Sequence, residues 1–569
     1  MNPPNYRTEI FFVKLPSEQF SNSYRPWFAN ARFRLNLVLL ALSVFAAQPG
    51  HGADLERWLY CSQNLWVDEN IDYLDGLLRR AAKAGYTHVL LSDSKFAKLG
   101  DMDAHYFRNI DRVKRLAAEL HLEIVPAVFS VGYSNDLLWH DPNLIEALPV
   151  RDALFVVRDG VATLQPEPPV VLKGGDFSNL KQWDWKDEAI GADNGAALIR
   201  DPKGRNARIM QKLKLTPFRQ YHLSVRVKTQ DFRGTPEVKV LAGNRALNLN
   251  HLGVKSTQDW TTHHVVFNSL ENIGGNLYLG CWDGGTGSLW FDDAKLEEVG
   301  LVNLVRRDGA PLVARIEAGS GLVEGRDFGK LTDPHMGNRI WPGSYDIYHE
   351  PPAIKTSLTN GTRLRVSYYH AVTVYNDQAM ICPSEPKTIE LLRDQARRMH
   401  AAWGAKGYMM SHDEIRVLNW CDACQRRHLD AGAILADNVR TCLQILRETN
   451  PGGKIYVWSD MFDPHHNAHK DYYLVRGDLT GSWEGLDKEV VIVNWNFDKR
   501  NESLKRFANR GHPQLIAGYY DVGPDQIRRW FDSTKGIGGI VGAMYTTWQN
   551  KYDGLEQFAM TVNTFSPGK

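Results

Sequence analysis

The sequence predicts an α/β protein: a (β/α)8 TIM-type barrel interrupted by an all-β sandwich of the jelly-roll type. Two observations carry this prediction. Near both ends of the chain, short apolar runs alternate with amphipathic helical patterns, as in βαβ units with a parallel sheet. Between residues 170 and 300, short β-runs separated by Gly, Asn and Asp replace that alternation, which is typical of a sandwich.

The chain has 569 residues, which is too long for one hydrophobic core. We therefore predict four segments: a leader (1–53), the first part of the barrel (54–169), the sandwich (170–300), and a cleft-forming segment with the rest of the barrel (301–569). The 67 basic and 66 acidic residues nearly cancel, so no nucleic-acid partner is expected. The 17 Trp favour a carbohydrate ligand, since their flat faces stack on sugar rings.

The leader is predicted from a charged flank and an apolar run. Arg32 and Arg34 precede the apolar residues 35–47, and small residues follow up to Ala53. This is the pattern of a signal peptide, so we expect export to the periplasm or beyond the cell. No later stretch resembles a membrane span, and no membrane contact is expected after the leader is removed.

The first part of the barrel is predicted from three strands and two helices. Apolar runs at 58–62, 87–93 and 122–129 are the strands, and helical spacing covers 68–84 and 107–120. Each run is separated from the next by one amphipathic pattern, as expected for consecutive βαβ units.

The sandwich resembles the jelly-roll carbohydrate-binding modules found beside many glycoside hydrolases. The resemblance lies in Gly175-Asp-Phe177 with Trp183, in the run from Tyr221, and in the closing Leu289-Trp-Phe-Asp-Asp293. It implies a sugar-binding platform, and Trp282 at a loop edge is the candidate. The other tryptophans of the segment are expected to be mainly core; they are Trp183, Trp185, Trp260 and Trp290.

The second half of the chain supplies six further candidate strands. They are 363–369, 408–410, 454–460, 490–496, 514–521 and 540–548. With the first three they make nine candidates for eight barrel strands, and we expect 363–369 to be the accessory one. The runs end in aromatic, amide or carboxylate residues, and the carboxyl ends of barrel strands form the active-site rim. The predicted substrate-binding residues are His412, Trp458, Asp460, Asn494, Trp495, Tyr519, Asp521, Trp548, Tyr369 and His370.

The adjacent carboxyls Asp413 and Glu414 follow the strand at 408–410 and are the predicted catalytic residues. Burial and mutual repulsion raise carboxyl pKa values, and a general acid needs such a shift. Cleavage of a glycosidic bond requires an acid for the leaving oxygen and a group that stabilises an oxocarbenium-like centre. We therefore predict a glycoside hydrolase with Glu414 as the general acid/base.

This Asp-Glu pair at a strand end resembles the exo-hexosaminidase superfamily, which uses substrate-assisted catalysis. The resemblance implies that Glu414 is the general acid/base. It also implies that Asp413 orients the 2-acetamido group of the substrate or assists electrostatically.

Three alternatives are kept. In a conventional two-carboxylate glycosidase, the nucleophile or base would be Asp460, Asp521 or Glu556. In a metal-assisted carbohydrate deacylase, the ion would lie in the cluster Asp460, Asp463, His465, His466 and His469. The third alternative is a glycan-binding protein without catalysis.

The six cysteines are too few for a disulfide framework. Cys421 and Cys424 form a single CxxC, which supplies two thiolates, whereas a tetrahedral zinc site needs four ligands. No second CxxC exists. We therefore predict no metal and no cofactor, and we expect either a local disulfide or two inert thiols.

Overall fold

The computed structural model describes residues 55–565, apart from 202, 376 and 520–524, and it gives only the backbone of Asp283 and Tyr519. The predicted leader lies outside the described residues. The chain begins with β1 (Glu56–Ser62), α1 (Asp68–Lys83), β2 (His88–Ser92), α2 (Ala104–Glu119) and β3 (Glu123–Val128). A long insertion with no α-helix among its described residues then follows, up to residue 385.

The strands of the insertion fall into two sheets. They are β4 (Ala147–Arg158), β5 (Val161–Leu164), β6 (Trp185–Lys186), β7 (Ile190–Asp193), β8 (Ala196–Ile199), β9 (Ala207–Lys214), β10 (Gln220–Ala242), β11 (Arg245–Ala246), β12 (Gln258–Asn268), β13 (Gly274–Val299), β14 (Leu304–Val305), β15 (Val313–Ile316), β16 (Gly321–Leu322), β17 (Ile354–Lys355) and β18 (Arg363–Ala371).

The chain then returns to alternating helices and strands. These are α3 (Pro386–Trp403), β19 (Gly407–Met410), β20 (Val417–Leu418), α4 (Asp422–Gln425), α5 (Ala431–Thr449), β21 (Lys454–Trp458), β22 (Leu474–Val475), β23 (Val491–Asn494), α6 (Arg500–Asn509), β24 (Gln514–Tyr519), α7 (Asp525–Asp532), β25 (Ile540–Thr546) and α8 (Leu555–Thr564).

Eight of these strands close into a parallel barrel in the order β1-β2-β3-β19-β21-β23-β24-β25. Helix α1 shows how the flanking elements form: its buried residues Ile71, Leu74, Leu78 and Ala81 recur at helical spacing, so one face packs on the core. The side chain of Asp103 caps α2 by accepting hydrogen bonds from backbone N–H groups of the first turn.

The predicted fold class, a helix-flanked (β/α)8 TIM-type barrel, is wrong for this chain. The closed barrel is present, but strands and sheets dominate the molecule and helices account for only 24%. Between β21 and β23, residues 459–490 contain no α-helix; they form the short strand β22 and 3-10 turns at 460–462 and 482–485. Gly477, Gly481 and Gly485 interrupt the second half of this segment, and glycine disfavours a helix.

The predicted sandwich also differs in its connections. The short β-runs expected there are joined in the structure: residues 221–227 and 237–241 both belong to the single strand β10, which pairs along its length with β13. These two long strands join the two layers expected of a sandwich into one eight-stranded sheet. Register shifts in their pairing, as at Arg233 opposite Thr286, mark the bends that let one strand serve both layers.

A second, seven-stranded sheet contains β18 paired with β4, β14 and β15. The run at 363–369 is therefore accessory to the barrel, as expected. Residues 147–164, placed by sequence in the first part of the barrel, pair here as well. No helix in the described part of the chain is long and apolar enough to cross a bilayer.

Gly76 offers a test of the helical assignment of α1. It is exposed in the middle of the helix, and an added Cβ would meet no atom within 4 Å. We expect Gly76→Ala to raise the free energy of unfolding by about 1 kcal/mol, since alanine is the better helix former. Urea unfolding monitored by circular dichroism would measure this change.

Gly542→Ala is the matched opposite case. A Cβ at Gly542 on β25 would lie 2.3 Å from the backbone oxygen of Glu56 on β1. The same substitution should therefore destabilise the protein where the barrel closes, and a stabilising Gly542→Ala would contradict this packing.

Candidate functional site

Asp413 and Glu414 lie at the carboxyl end of β19, at the mouth of the barrel. The four residues of β19 are fully buried, whereas both carboxyl residues are half-buried. The chain leaves the barrel wall at Ser411, whose backbone N–H bonds to the carbonyl of Val128 on β3. The two side chains are thus attached to a rigid strand at a position where barrels bind small molecules.

The backbone of Glu414 adopts a left-handed conformation, with φ of 50°. For a residue other than glycine this costs about 1–2 kcal/mol. Two hydrogen bonds hold it there: the Glu414 N–H donates to Oδ2 of Asp460 at 2.8 Å, and Nε2 of Gln378 donates to the Glu414 carbonyl at 3.0 Å. The direction of the Glu414 side chain is therefore imposed by its neighbours.

Both carboxylate oxygens of Glu414 already have donors. Nη2 of Arg416 lies 2.6 Å from Oε1, and the hydroxyl of Tyr133 donates to Oε2. Arg416 is almost fully buried and lies against the rings of Tyr375 and Tyr473, at 5.0 and 5.1 Å from their centroids. A buried guanidinium in this position requires an anion beside it, and Glu414 supplies that anion.

Asp413 is in a different electrostatic environment. Burial raises the pKa of its carboxyl well above the ordinary value, and the nearby charges of Asp460 and Glu414 raise it further. Its backbone carbonyl packs so closely on Gly132 that a Cβ there would lie 1.8 Å from the oxygen. The surroundings of Asp413 therefore favour its protonated form, whereas Glu414 is paired with Arg416.

Asp460, predicted to bind substrate, is fully buried and serves the protein itself. Besides the Glu414 N–H, it accepts hydrogen bonds from Nδ2 of Asn467 at 2.9 Å and from Nε1 of Trp495 at 3.3 Å. Three internal donors thus fix the Asp460 carboxylate, and one of them is the backbone N–H of Glu414.

Aromatic rings on β1, on β21 and in the loop after β25 form one wall of the mouth. The ring of Tyr60 lies 5.1 Å from that of Trp548 and 6.4 Å from that of Trp458, and the two Trp rings are 5.9 Å apart. Burial, and then the charge of Asp413, raise the pKa of Tyr60, so the Asp413 carboxyl lies close to this wall. Such a surface suits the C–H face of a sugar ring.

Four predicted residues are placed elsewhere. His412 is buried and bonds through Nε2 to Asn438 of α5 at 3.0 Å, and Asn494 is buried against Gln514. Tyr369 and His370 lie on β18 in the seven-stranded sheet rather than in the barrel. The sequence misplaced these side chains because it shows that a strand ends, but not which face the side chain occupies.

Burial lowers the pKa of His412 and that of His370 to about 4, so both rings are neutral at physiological pH. Asp521 and the Tyr519 side chain lie outside the described residues. Glu556, an alternative nucleophile, is on the outer helix α8, where it pairs with Arg80 at 2.9 Å. That carboxylate is therefore remote from the mouth.

The metal cluster of the deacylase alternative does not assemble at the segment after β21. Asp463 is buried and bonds to Ser503 and Asn496, while His465 and His469 are exposed. Within the described residues, the one group of three or more ligand-type side chains that could hold an ion lies elsewhere, at Glu146, Cys382, Cys421 and Cys424.

Sequence reasoning missed the residues that complete the pair: Tyr133, Gln378 and Arg416. Arg416 carried a readable signal, because it follows Glu414 by two residues and a buried cation beside two carboxyls is expected. Tyr133 carried none, since it lies 281 residues from Glu414 in the chain.

No protein-family model matches the sequence, and a search of curated proteins finds no match. Solved structures that it resembles include a rhamnosidase from Novosphingobium sp. PP1Y, with 11% identity and a TM-score of 0.33; the match covers 90% of this chain and 59% of that chain. A β-N-acetylhexosaminidase from Bacteroides fragilis matches with 17% identity and a TM-score of 0.19, over 26% of this chain and 27% of that chain.

A CBM4 structure is matched over its whole length and over 23% of this chain, with 19% identity and a TM-score of 0.19. At such scores these similarities determine neither a family nor a reaction. Membership of the exo-hexosaminidase superfamily therefore stays a prediction.

Asp460 provides the test of the positioning interaction. We expect Asp460→Asn to lower the free energy of unfolding by about 1–3 kcal/mol, because the amide nitrogen, a donor, replaces one of the two oxygens that together accept three hydrogen bonds. Urea unfolding would measure the change. Asp471→Asn, an exposed change in the same loop, should have almost no effect; equal losses in the two variants would contradict the role of Asp460.

Proposed function

We propose that the chain is a glycoside hydrolase that binds a sugar at the barrel mouth and protonates the leaving oxygen with Asp413. One observation carries the proposal: two adjacent carboxyls occupy opposite electrostatic environments beside an aromatic wall. Burial and the charges of Asp460 and Glu414 raise the pKa of Asp413, whereas Glu414 is paired with Arg416. Carboxyls whose environments separate their roles are typical of acid and anion partners in such enzymes.

This assignment exchanges the roles that the sequence predicts. Glu414 has Arg416 and Tyr133 as donors on its two oxygens, so it is the anion of the pair. An anion stabilises the positive charge that develops at the anomeric centre, or orients a 2-acetamido N–H where the substrate has one. Asp413, raised in pKa by burial, has the proton that the leaving group requires.

The leaving group tests this assignment. We expect Asp413→Asn to slow hydrolysis of an aryl glycoside with a poor leaving group by about 100- to 10,000-fold, as for loss of a general acid. A dinitrophenyl glycoside should lose much less activity, because its leaving group needs little protonation. Glu414→Gln should slow both substrates alike.

The pH profile is the second readout of the same variants. The acid must be protonated, so kcat/KM falls as pH rises through the pKa of Asp413. Because that pKa is raised, this limb lies above the ordinary carboxyl value of about 4 and disappears in Asp413→Asn. If instead Glu414→Gln shows the leaving-group dependence and loses the alkaline limb of the pH profile, the roles of the two carboxyls are those predicted from the sequence.

Paired substrates with and without a 2-acetamido group decide whether the substrate supplies the nucleophile. Cleavage confined to the N-acetylated substrates would support substrate assistance. If the wild-type protein cleaves no glycoside but binds glycans, the hydrolase proposal is refuted and the non-catalytic alternative is favoured.

The aromatic wall makes a separate prediction. We expect Trp548→Ala to raise KM about 2- to 10-fold, because the stacking surface for the sugar is lost. Steady-state kinetics on an aryl glycoside would measure this. Trp185→Ala, an exposed tryptophan on β6 in the insertion, is the control and should leave KM on this small substrate unchanged.

A further inference from the structure

Four buried side chains meet at the base of the insertion: Glu146, Cys382, Cys421 and Cys424. Each is at most 1% exposed, and their ligand atoms all lie within 4.8 Å of one another. They come from three separate parts of the chain, namely the residue before β4, the loop before α3, and the CxxC around the start of α4. The sequence showed two of the four ligands that a tetrahedral site needs; the fold brings in the other two.

The spacing fits one metal ion. Sγ of Cys382 lies 3.3 Å from Sγ of Cys421 and 3.6 Å from Sγ of Cys424. Oε2 of Glu146 lies 3.3 Å from Sγ of Cys421 and 3.5 Å from Sγ of Cys424. Zinc–sulfur bonds of about 2.3 Å at tetrahedral corners place neighbouring sulfurs about 3.8 Å apart, so a small expansion admits the ion.

The groups around the four side chains also suit a metal centre. Oε1 of Glu146 accepts hydrogen bonds from the backbone N–H groups of Trp420 at 2.7 Å and Cys421 at 2.9 Å, which leaves Oε2 directed at the sulfurs. Orientation of a ligand by a second hydrogen bond is usual in metal sites. The buried Arg307 interacts electrostatically with the cluster and offsets part of its negative charge.

We propose that Glu146, Cys382, Cys421 and Cys424 bind one structural zinc ion. All four are protein ligands and the site is closed to solvent, which distinguishes a structural from a catalytic zinc site. Binding replaces the thiol protons, which are released to solvent. A disulfide accounts for the geometry less well, because it would leave one of three neighbouring cysteines unpaired and the carboxylate buried beside it.

The site fastens the insertion to the segment behind the carboxyl pair. The backbone N–H of Glu146 bonds to the carbonyl of Met380 at 2.7 Å, and that of Cys382 bonds to Leu144 at 2.8 Å, so the two ends of the insertion are already adjacent. Cys421 follows Glu414 by seven residues. The ion would link these three segments through its coordination bonds and so fasten the start of the insertion to the barrel.

The wild-type full-length chain gives the first test. After dialysis against a mild chelator, elemental analysis should find one zinc per chain, and zinc X-ray absorption should show three sulfur ligands and one oxygen ligand. Zinc at substoichiometric levels that is not restored by zinc and a reductant would overturn the proposal. So would a spectrum with only nitrogen and oxygen ligands, or a mass that shows a disulfide among these cysteines.

Two serine variants identify the ligands. Cys424→Ser should lower bound zinc at least tenfold and lower the midpoint of thermal unfolding. Cys442→Ser changes another buried cysteine, on α5, and should keep one zinc per chain. If Cys424→Ser does not fold, the wild-type absorption spectrum still decides; full zinc occupancy in folded Cys424→Ser would contradict the assignment.

Discussion

Closure of the parallel sheet between β25 and β1 is the constraint on which the rest of the structure depends. The ladder from Glu56 opposite Gly542 to Leu59 opposite Tyr545 completes the barrel. Gly542 is needed there because the Glu56 carbonyl occupies the space of a side chain. Without closure, Tyr60 and Trp548 would not share a wall, and the carboxyl ends of β19 and β21 would not surround one mouth.

At the mouth of the closed barrel, the site is a group of charged side chains that are partly shielded from solvent. Asp413, Glu414 and Asp460 repel one another, and the buried Arg416 compensates one negative charge. Asp460 accepts three hydrogen bonds from within the protein, whereas burial and the neighbouring charges raise the pKa of Asp413 and favour its neutral form. Burial disfavours the charged form of each carboxyl. Because the surroundings compensate for this in different ways, the acid–base properties of the neighbouring carboxyls differ.

The insertion contributes to the site as well as to the bulk of the molecule. Arg245 donates from β11 to the carbonyls of Tyr473 and Val475, and His251 stacks on Tyr375 at 4.8 Å. Tyr375 and Tyr473 are the two rings that enclose Arg416. The all-β segment therefore supports the cation that pairs with Glu414, and a firm attachment of the insertion keeps that pair in place.

The sequence by itself determined the local features. Apolar runs located all eight barrel strands, since each run is a short-range pattern, and the polar residues after 408–410 located Asp413 and Glu414. Even so, the fold class was wrong, because one crossover lacks a helix and strands dominate. Only the tertiary structure decided how the environments of the two carboxyls differ, since Tyr133 and Asp460 reach Glu414 across 281 and 46 residues. The tertiary structure alone also brings together the four side chains of the cluster at Cys382. Contacts between distant segments follow from packing, which no local sequence pattern encodes.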